Sequence, residues 1–345
     1  MWTDKIPINT SLIKKILIIQ FSSYSDVFLT SSIFESLKQS LPDARLYYLI
    51  KEPFLETVLE HPFIDNIITF REETGLKHYT SIIKLFKQIR SLKIDLLIDQ
   101  QNSSLSKKIS LFSGIKYRIG YYDSALDFAY NYNVLRDSNK YLASQKHELL
   151  KPLGISEDAC KYHFQIKKDS HIFVEEWLKR IGLDNKKFVI LSPGSTESFR
   201  KWRTNYFANL GDLIVETFDI PIVLIGTRKE QDDCHHVSEH MINKPFIAPE
   251  MTLNQIAALL KKSKLLVCND SGINHFSCAT DTNTIAIFGN THPLQKSPAS
   301  VFLNHHHLYK EMYPSKNDDT FGISPQEVLT KIKEIFSSLE GMGTT

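Results

Sequence analysis

The sequence predicts an α/β protein with two Rossmann-like domains, each built on a parallel sheet. Short apolar runs alternate with helix-length amphipathic segments, which is typical of βαβ units. This alternation stops between about residues 140 and 185 and then begins again. A chain of 345 residues is also long enough for two hydrophobic cores. We therefore expect an N-terminal domain over residues 1–165 and a C-terminal domain over residues 166–345.

The N-terminal series is predicted to supply the first sheet. Within it, Ile82, Leu85 and Ile89 fall on one side of a helix, and a continuous apolar run follows, as expected for a buried parallel strand. In chain order, strands are predicted in KILIIQF, RLYYLI, NIITF and IDLLID, and helices in VFLTSSIFESLKQSL, FLETVLEH and YTSIIKLFKQIRSLK. Two further helical stretches, SQKHELLKPLGI and SHIFVEEWLKRIGL, are interpreted as a connector between the domains.

The C-terminal series repeats the pattern. Strands are predicted in FVILSPGS, PIVLIG, PFIAP, KLLVCND and TIAIFG, with helices from about Asn205, after Arg228, from Leu253 and from Asn274. The tail SPQEVLTKIKEIFSSLEG is predicted to be an amphipathic helix that begins with a Ser-x-x-Glu capping box. We expect the two α/β halves to face each other across a cleft.

Composition excludes several classes of protein. A net charge of +2 argues against a nucleic-acid-binding protein. Four cysteines without C-x-x-C spacing indicate buried thiols in a reducing compartment, and we expect no metal site. The first apolar segment, Ile16–Ile19, is too short for a signal-peptide core or a membrane span, which predicts a cytoplasmic protein.

Ligands of open parallel sheets bind outside the carboxyl ends of the strands, so residues that follow strands are the first candidates for chemistry. After the first strand, Ser22, Ser23 and Ser25 precede Asp26 at the start of a helix. Asp26 is either a first-turn acid that the helix dipole favours or a carboxylate with a chemical role.

A second strand end carries hydroxyl and basic residues. Ser195 and Thr196 follow a Pro-Gly turn, and the basic run Arg200–Arg203 comes next. This pattern suits either a phosphate site or a plain turn before a solvated loop. We interpret Trp202, within the basic run, as a packing anchor.

The third strand end is the stretch LLVCNDSGINHFSCA. Asp270, Ser271, Gly272 and His275 crowd the start of a helix, either as a cap or as an anion site. A serine hydrolase is disfavoured because these residues lie within about one turn and no G-x-S-x-G elbow is present. Neither domain carries the G-x-G-x-x-G fingerprint of a dinucleotide oxidoreductase.

In combination, these pieces resemble the ADP-heptose:lipopolysaccharide heptosyltransferases of glycosyltransferase family 9, from about Ile16 to Pro293. The resemblance rests on ILIIQFSSYSDVFLTSSIFESLKQSLPDA, SPGSTESFRKW, MTLNQIAALL and VCNDSGINHFSCA with IFGNTHP. It implies a GT-B fold, with the C-terminal helix returning toward the N-terminal domain. It also implies an inverting transferase that needs no metal or other cofactor.

The resemblance assigns roles to individual residues. Asp26 matches the proposed general base of the family. Residues matching the donor site are Ser195, Thr196, Arg200, Lys201, Glu230, Met251, Asp270, Ser271, Gly272 and His275. Candidates for contact with an acidic glycolipid acceptor are Ser23, Ser25, Lys51, Arg71 and Arg118. The implied partners are an ADP-sugar, with ADP-heptose preferred, and an acceptor at the cytoplasmic face of the inner membrane, where peripheral contact is compatible with the sequence.

The chain also departs from the family pattern. Gln20 stands where arginine is common, Ser25 where glycine is usual, and Arg200 where lysine is usual. These differences leave two alternatives open: the same fold with another nucleotide sugar, or a nucleotide-sugar-binding paralogue without turnover. The retained Asp26 argues against the second alternative.

Overall fold

The computed structural model describes residues 7–122, 127–156, 160–311 and 318–342. The chain separates into two compact units, Met1–Gln165 and Ile166–Thr345. Each unit contains one six-stranded sheet in which every strand pairing is parallel.

The first unit is a doubly wound sheet. Its strands are β1 (Lys15–Ile19), β2 (Arg45–Lys51), β3 (Asn66–Phe70), β4 (Leu96–Asp99), β5 (Tyr117–Tyr121) and β6 (Tyr132–Val134). Its helices are α1 (Tyr24–Thr30), α2 (Phe34–Ser40), α3 (Leu76–Ser91), α4 (Ser104–Phe112) and α5 (Leu142–Glu148). The strand order β3-β2-β1-β4-β5-β6 places β1 at the centre, where the chain reverses direction across the sheet. The segment after β1 therefore lies at the topological switch point, the usual ligand position in such sheets.

The second unit repeats this topology. Its strands are β7 (Val189–Ser192), β8 (Ile222–Leu224), β9 (Phe246–Ile247), β10 (Leu265–Asn269), β11 (Thr284–Ile287) and β12 (His305–Leu308). Its helices are α6 (Lys168–Arg180), α7 (Thr204–Phe218), α8 (Gln231–His240), α9 (Leu253–Lys262), α10 (Gly272–Phe276), α11 (Pro293–Lys296) and α12 (Pro325–Met342). The order β12-β11-β10-β7-β8-β9 makes β7 and β10 the central pair. Each of these two strands is followed by a loop that is predicted from the sequence to be a candidate site.

Apolar strand residues form the two cores. In the first unit, Ile16, Leu17, Ile18 and Ile19 of β1 are fully buried, so this strand packs on both faces. Such continuous apolar runs are typical of parallel strands covered by helices on both sides. Trp202 is fully buried in the second core, which confirms its predicted role as a packing anchor.

Several elements differ from the sequence-based expectations. Strands β5, β6 and β12 and helix α4 were not predicted: Arg118 interrupts the apolar pattern of β5, β6 has only three residues, and β12 contains three histidines. The segment FLETVLEH was predicted to be a helix, but only a 3-10 helix over Glu52–Thr57 forms. The helix predicted from Asn274 begins earlier, at Gly272.

The tail helix α12 forms as predicted. Ser324 Oγ accepts a hydrogen bond from the Glu327 amide at 3.3 Å, and Glu327 Oε2 accepts one from the Ser324 amide at 2.8 Å. This capping box fixes the start of the helix. The apolar side of α12 packs against α7 in the core of the second unit.

Two further findings concern cysteines and membrane spans. All four cysteines are buried free thiols, as predicted. Burial raises the pKa of Cys234 to about 12, which keeps this thiol protonated at neutral pH. Across the described ranges, no helix is both long enough and apolar enough to cross a membrane.

Candidate active site

The loop between β1 and α1 places a carboxylate at the carboxyl edge of the first sheet. Ser23 is the N-cap of α1 and accepts a hydrogen bond from the Asp26 amide at 3.1 Å. Ser22 and Ser23 donate from Oγ to Asp26 Oδ2 at 2.7 Å and 2.8 Å, and Ser25 Oγ lies 3.1 Å from Ser23 Oγ. Asp26 is thus a first-turn acid and also an oriented carboxylate, with 34% of its side chain exposed.

A buried lysine faces this carboxylate from α5. Lys146 Nζ lies 3.9 Å from Asp26 Oδ1 and donates to Gln20 Oε1 at 3.1 Å. Burial lowers the pKa of Lys146 to about 8, although the negative charge of Asp26 opposes this effect. Sequence reasoning missed Lys146 because its helix was interpreted as a connector, and its partner Gln20 lies 126 residues away.

Two of the predicted acceptor residues lie together at the ends of β2 and β3. Lys51 and Arg71 line a cavity of about 700 Å³ that also contains three glutamates. Lys51 Nζ lies 2.6 Å from Glu72 Oε2, and Arg71 forms a two-point ion pair with Glu52. The cavity therefore presents both charge signs, which the sequence did not predict.

Arg118 on β5 occupies a different setting. Its Nε donates to the carbonyl of Ala129 at 2.9 Å, and its Nη1 donates to the carbonyl of Ile115 at 2.7 Å. Burial lowers the pKa of Arg118. These contacts brace local backbone, and the acceptor role of Arg118 stays a prediction.

In the second unit, Asn269 at the end of β10 joins two of the predicted site loops. Its Nδ2 donates to the carbonyls of Pro193 and Gly194 at 2.7 Å and 3.3 Å. Its Oδ1 accepts from the Trp202 amide at 2.9 Å. The Pro-Gly turn and the basic run are thus held beside the Asp270 strand end by a residue that the sequence did not single out.

Asp270 lies between two cations. Arg200 Nε lies 3.5 Å from Asp270 Oδ2, and Lys296 Nζ lies 3.8 Å from the same oxygen. The side chain of Asp270 is 3% exposed, whereas those of Arg200 and Lys296 are 25% and 26% exposed. Asp270 Oδ2 and Arg200 Nε make no hydrogen bond among the described atoms. Two partly exposed cations remain available to an anion, and Asp270 anchors them.

The other predicted donor residues of this loop differ in exposure and in their partners. Ser195 is 4% exposed and its Oγ has no hydrogen-bond partner among the described atoms, whereas Thr196 is exposed. Lys201 Nζ lies 2.6 Å from Asp233 Oδ2 on α8. Arg200 and Lys201 therefore have different partners although they are adjacent in the chain.

The start of α10 has no side-chain cap. Ser271 occupies the N-cap position, but its side chain makes no capping hydrogen bond. Gly272 is exposed, and a Cβ added there would meet nothing within 4 Å. Asn274 and His275 are buried behind it, at 1% and 5% exposure. The backbone at Gly272 is therefore open, and the anion site at this strand end stays a prediction.

Glu230 and Met251 stand at the starts of neighbouring helices. Glu230 Oε2 accepts from the amide and the hydroxyl of Thr227, both at 2.8 Å. A Cβ at Gly194 would lie 2.5 Å from the Glu230 side chain, so only glycine allows this close approach. Met251 is half-buried and precedes the capping box of α9, which Thr252 forms with Gln255.

Comparisons with known proteins agree with this architecture. The family model described as Glycosyltransferase family 9 (heptosyltransferase) matches residues 82–320, more than half of the chain. Lipopolysaccharide heptosyltransferase 1 of Campylobacter coli is 23% identical, covering 93% of this chain and 99% of that protein. A crystal structure of a family 9 glycosyl transferase from Veillonella parvula has a TM-score of 0.84 at 19% identity, covering 94% of this chain and 97% of that one.

A further solved structure contains a ligand. The E. coli heptosyltransferase WaaC with ADP-2-deoxy-2-fluoro heptose has a TM-score of 0.72 at 18% identity, covering 93% of this chain and 99% of that one. These likenesses confirm the predicted α/β fold with two Rossmann-like domains. Together with the family match over most of the chain, they show that the protein belongs to glycosyltransferase family 9 and is a glycosyltransferase.

Proposed function

We propose that this protein is an inverting, metal-independent transferase that moves a heptose from ADP-heptose to an inner-core lipopolysaccharide or related surface-glycan acceptor. Asp26 acts as the general base and takes the proton of the acceptor hydroxyl as its oxygen attacks the anomeric carbon. The bond from that carbon to the β-phosphate oxygen breaks, and ADP leaves. The reaction takes place at the cytoplasmic face of the inner membrane.

The observation that carries the proposal is the setting of Asp26. Its carboxylate is partly exposed at the switch point of the first sheet and is oriented by Ser22 and Ser23. A general base needs a fixed, ionised carboxylate within reach of the acceptor. A residue that served only the helix terminus would not need a buried cation opposite it.

The second unit supports a diphosphate donor. Arg200 and Lys296 present two positive charges in this unit, and Ser195 has a buried hydroxyl without a hydrogen-bond partner among the described atoms. Charge builds on the β-phosphate as ADP leaves, and fixed cations stabilise that charge most effectively in a site shielded from water. ADP-heptose is the preferred donor because the structurally similar WaaC of E. coli binds ADP-2-deoxy-2-fluoro heptose, an analogue of that sugar nucleotide.

Lys51 and Arg71 are the proposed contacts to an acidic acceptor. They line one cavity, and their glutamate partners would have to share them with the acceptor or move aside. Ser23 and Ser25 lie next to Asp26 and would border the attacking hydroxyl. The N-terminal unit is thus assigned the acceptor and the base, and the C-terminal unit the donor.

A thermal-shift panel tests the nucleotide assignment. A ligand that binds only the native state at 100 times its Kd adds about 2.7 kcal/mol of stability. ADP and ADP-heptose are expected to raise the melting temperature, while GDP, UDP and CMP with their sugars should not. If only another nucleotide stabilises the protein, the proposed donor changes from ADP-heptose to a sugar of that nucleotide.

Turnover is tested by ADP release from ADP-heptose with an inner-core acceptor, with and without EDTA. We expect release that depends on the acceptor and persists in EDTA, with inversion at the anomeric carbon of the product. Binding of ADP-heptose without any transfer would instead support the inactive paralogue.

Replacing Gly272 by alanine is expected to weaken ADP binding without destabilising the protein. The added methyl meets nothing within 4 Å in the protein itself, but it would fill space that the proposed diphosphate needs. We expect Kd for ADP to rise at least about tenfold, or ~1.4 kcal/mol. Calorimetry measures the affinity, and an unchanged melting temperature serves as the folding control. Equal ADP affinity in the variant would place the phosphates away from α10.

A further inference from the structure

The α5 lysine is buried and has no role in the reaction as assigned so far. Lys146 is 6% exposed, and a buried ammonium group is costly unless it meets a negative or polar partner. We propose that Lys146 is a positioning residue for Asp26, which keeps the carboxylate ionised and fixed in orientation. This inference rests on the proposed role of Asp26 as general base.

The geometry ties both carboxylate oxygens to the same lysine. Lys146 Nζ lies 3.9 Å from Asp26 Oδ1, and an opposite charge at this distance favours the ionised carboxylate. The other oxygen is reached through Gln20, whose Oε1 accepts from Nζ at 3.1 Å. Gln20 Nε2 donates to Ser22 Oγ at 2.7 Å, and Ser22 Oγ donates to Asp26 Oδ2 at 2.7 Å. One side of the carboxylate is thus set by charge and the other by hydrogen bonds.

The backbone that carries the lysine is itself fixed. Gln100 Nε2, in the loop after β4, donates to the carbonyl of Lys146 at 2.9 Å. The Tyr121 hydroxyl on β5 donates to the carbonyl of Gln145 at 2.8 Å. These bonds hold the end of α5 to the sheet that also carries the Asp26 loop. The ammonium group therefore has a defined position relative to the carboxylate.

The charges that face Lys146 come from three elements. They are Asp26 on α1, Asp99 at the end of β4, and Arg136 in the segment before α5. Burial outweighs the two carboxylates and lowers the pKa of Lys146 to about 8. The positive charge is therefore present at neutral pH and is lost as pH rises through about 8.

The same shift sets the sign of the stability effect. The pKa of Lys146 is lower in the folded protein than in the unfolded chain, so between the two values the unfolded chain binds more protons. The penalty for burying the charge is fully present below pH about 8 and is relieved at higher pH. A lysine kept only for stability would show the opposite sign.

Kinetics of Lys146→Met, Lys146→Arg and the control Lys151→Met test the proposal. In the wild type, we expect kcat/KM to fall above pH about 8, because an uncharged Lys146 no longer holds the ionised Asp26 carboxylate in its orientation. This alkaline limb should be absent in both Lys146 variants, since neither side chain titrates there. The acid limb should move up by about one to three pH units in Lys146→Met and stay in place in Lys146→Arg, which retains the charge. The substitution Lys151→Met should leave both limbs of the pH profile unchanged, because Lys151 pairs with Glu148 at 3.1 Å.

A second measurement is independent of turnover. The carboxyl 13C resonance of Asp26, assigned by its loss in Asp26→Asn, is titrated in the wild type and in Lys146→Met. We expect its midpoint to be higher in Lys146→Met, while the melting temperature at pH 7 equals or exceeds that of the wild type. An unmoved midpoint with unmoved kinetic limbs would overturn the proposal.

The two proposals can fail separately. If the wild type transfers no sugar from any donor, the proposed function fails, and the carboxyl titration still decides whether Lys146 controls Asp26. Normal sugar transfer with an unmoved midpoint of the Asp26 titration would reject the positioning role of Lys146 and leave the proposed function in place.

Discussion

Asp26→Asn is expected to lower kcat by about 10²- to 10⁴-fold, the usual contribution of general acid–base catalysis. Asparagine has nearly the same shape and can still accept the hydrogen bonds of Ser22 and Ser23, but it cannot take a proton from the acceptor. ADP affinity should be unchanged, because the proposed donor contacts lie in the other unit. Steady-state ADP release measures kcat, and calorimetry measures the affinity for ADP.

Asp43→Asn is the matched control for this substitution. Asp43 has an 82% exposed side chain and pairs with Lys14 at 3.5 Å, so its removal takes the same charge from the same unit. Full activity is expected in this variant. Unchanged turnover in Asp26→Asn would contradict the assignment of Asp26 as the general base, whichever donor the enzyme uses.

The second large effect is expected for Arg200→Ala. Loss of a hydrogen bond to a charged group typically costs about 1.5–3 kcal/mol, and we expect ADP affinity to fall by this amount. The buried Asp270 would keep Lys296 as its cation, so the fold should persist. Calorimetry with ADP gives the affinity, and the melting temperature reports any structural loss.

Lys201→Ala separates this effect from general loss of charge. Lys201 follows Arg200 directly but pairs with Asp233 at 2.6 Å. Although the family resemblance places Lys201 at the donor site, its ion pair with Asp233 leads us to expect nearly normal ADP affinity in this variant. Equal losses in Arg200→Ala and Lys201→Ala would contradict the assignment of Arg200 to the phosphates, as would normal affinity in both.

The sequence predicted the fold class well because buried parallel strands leave long apolar runs. Runs such as β1 and β10 are recognisable without any tertiary information. The edge strand β12 (His305–Leu308) was not recognisable in the sequence. His305 is buried, but its Nε2 lies 3.0 Å from the Oγ of polar Ser277 instead of packing in an apolar layer. Polar burial of this kind depends on a partner that only the fold supplies.

The candidate site was predictable where it follows a strand and was missed where it depends on distant contacts. Asp26 and Asp270 each follow an apolar run, so their positions follow from the chain order. Lys146, Lys296 and Asn269 reach these sites through contacts that no local pattern encodes. The sequence also could not separate Arg200 from Lys201, since adjacent basic residues acquire different partners only when the loop folds.

The pairing of Lys146 with Gln20 changes how departures from a family motif are counted. At the first strand end alone, Gln20 counts as the loss of a positive charge, and such a loss suggests an enzyme that has lost activity. In three dimensions a positive charge lies 3.9 Å from Asp26, contributed by another helix. Surveys that sort family members into active and degenerate enzymes should therefore compare the charge surrounding the carboxylate instead of the letter at one alignment column.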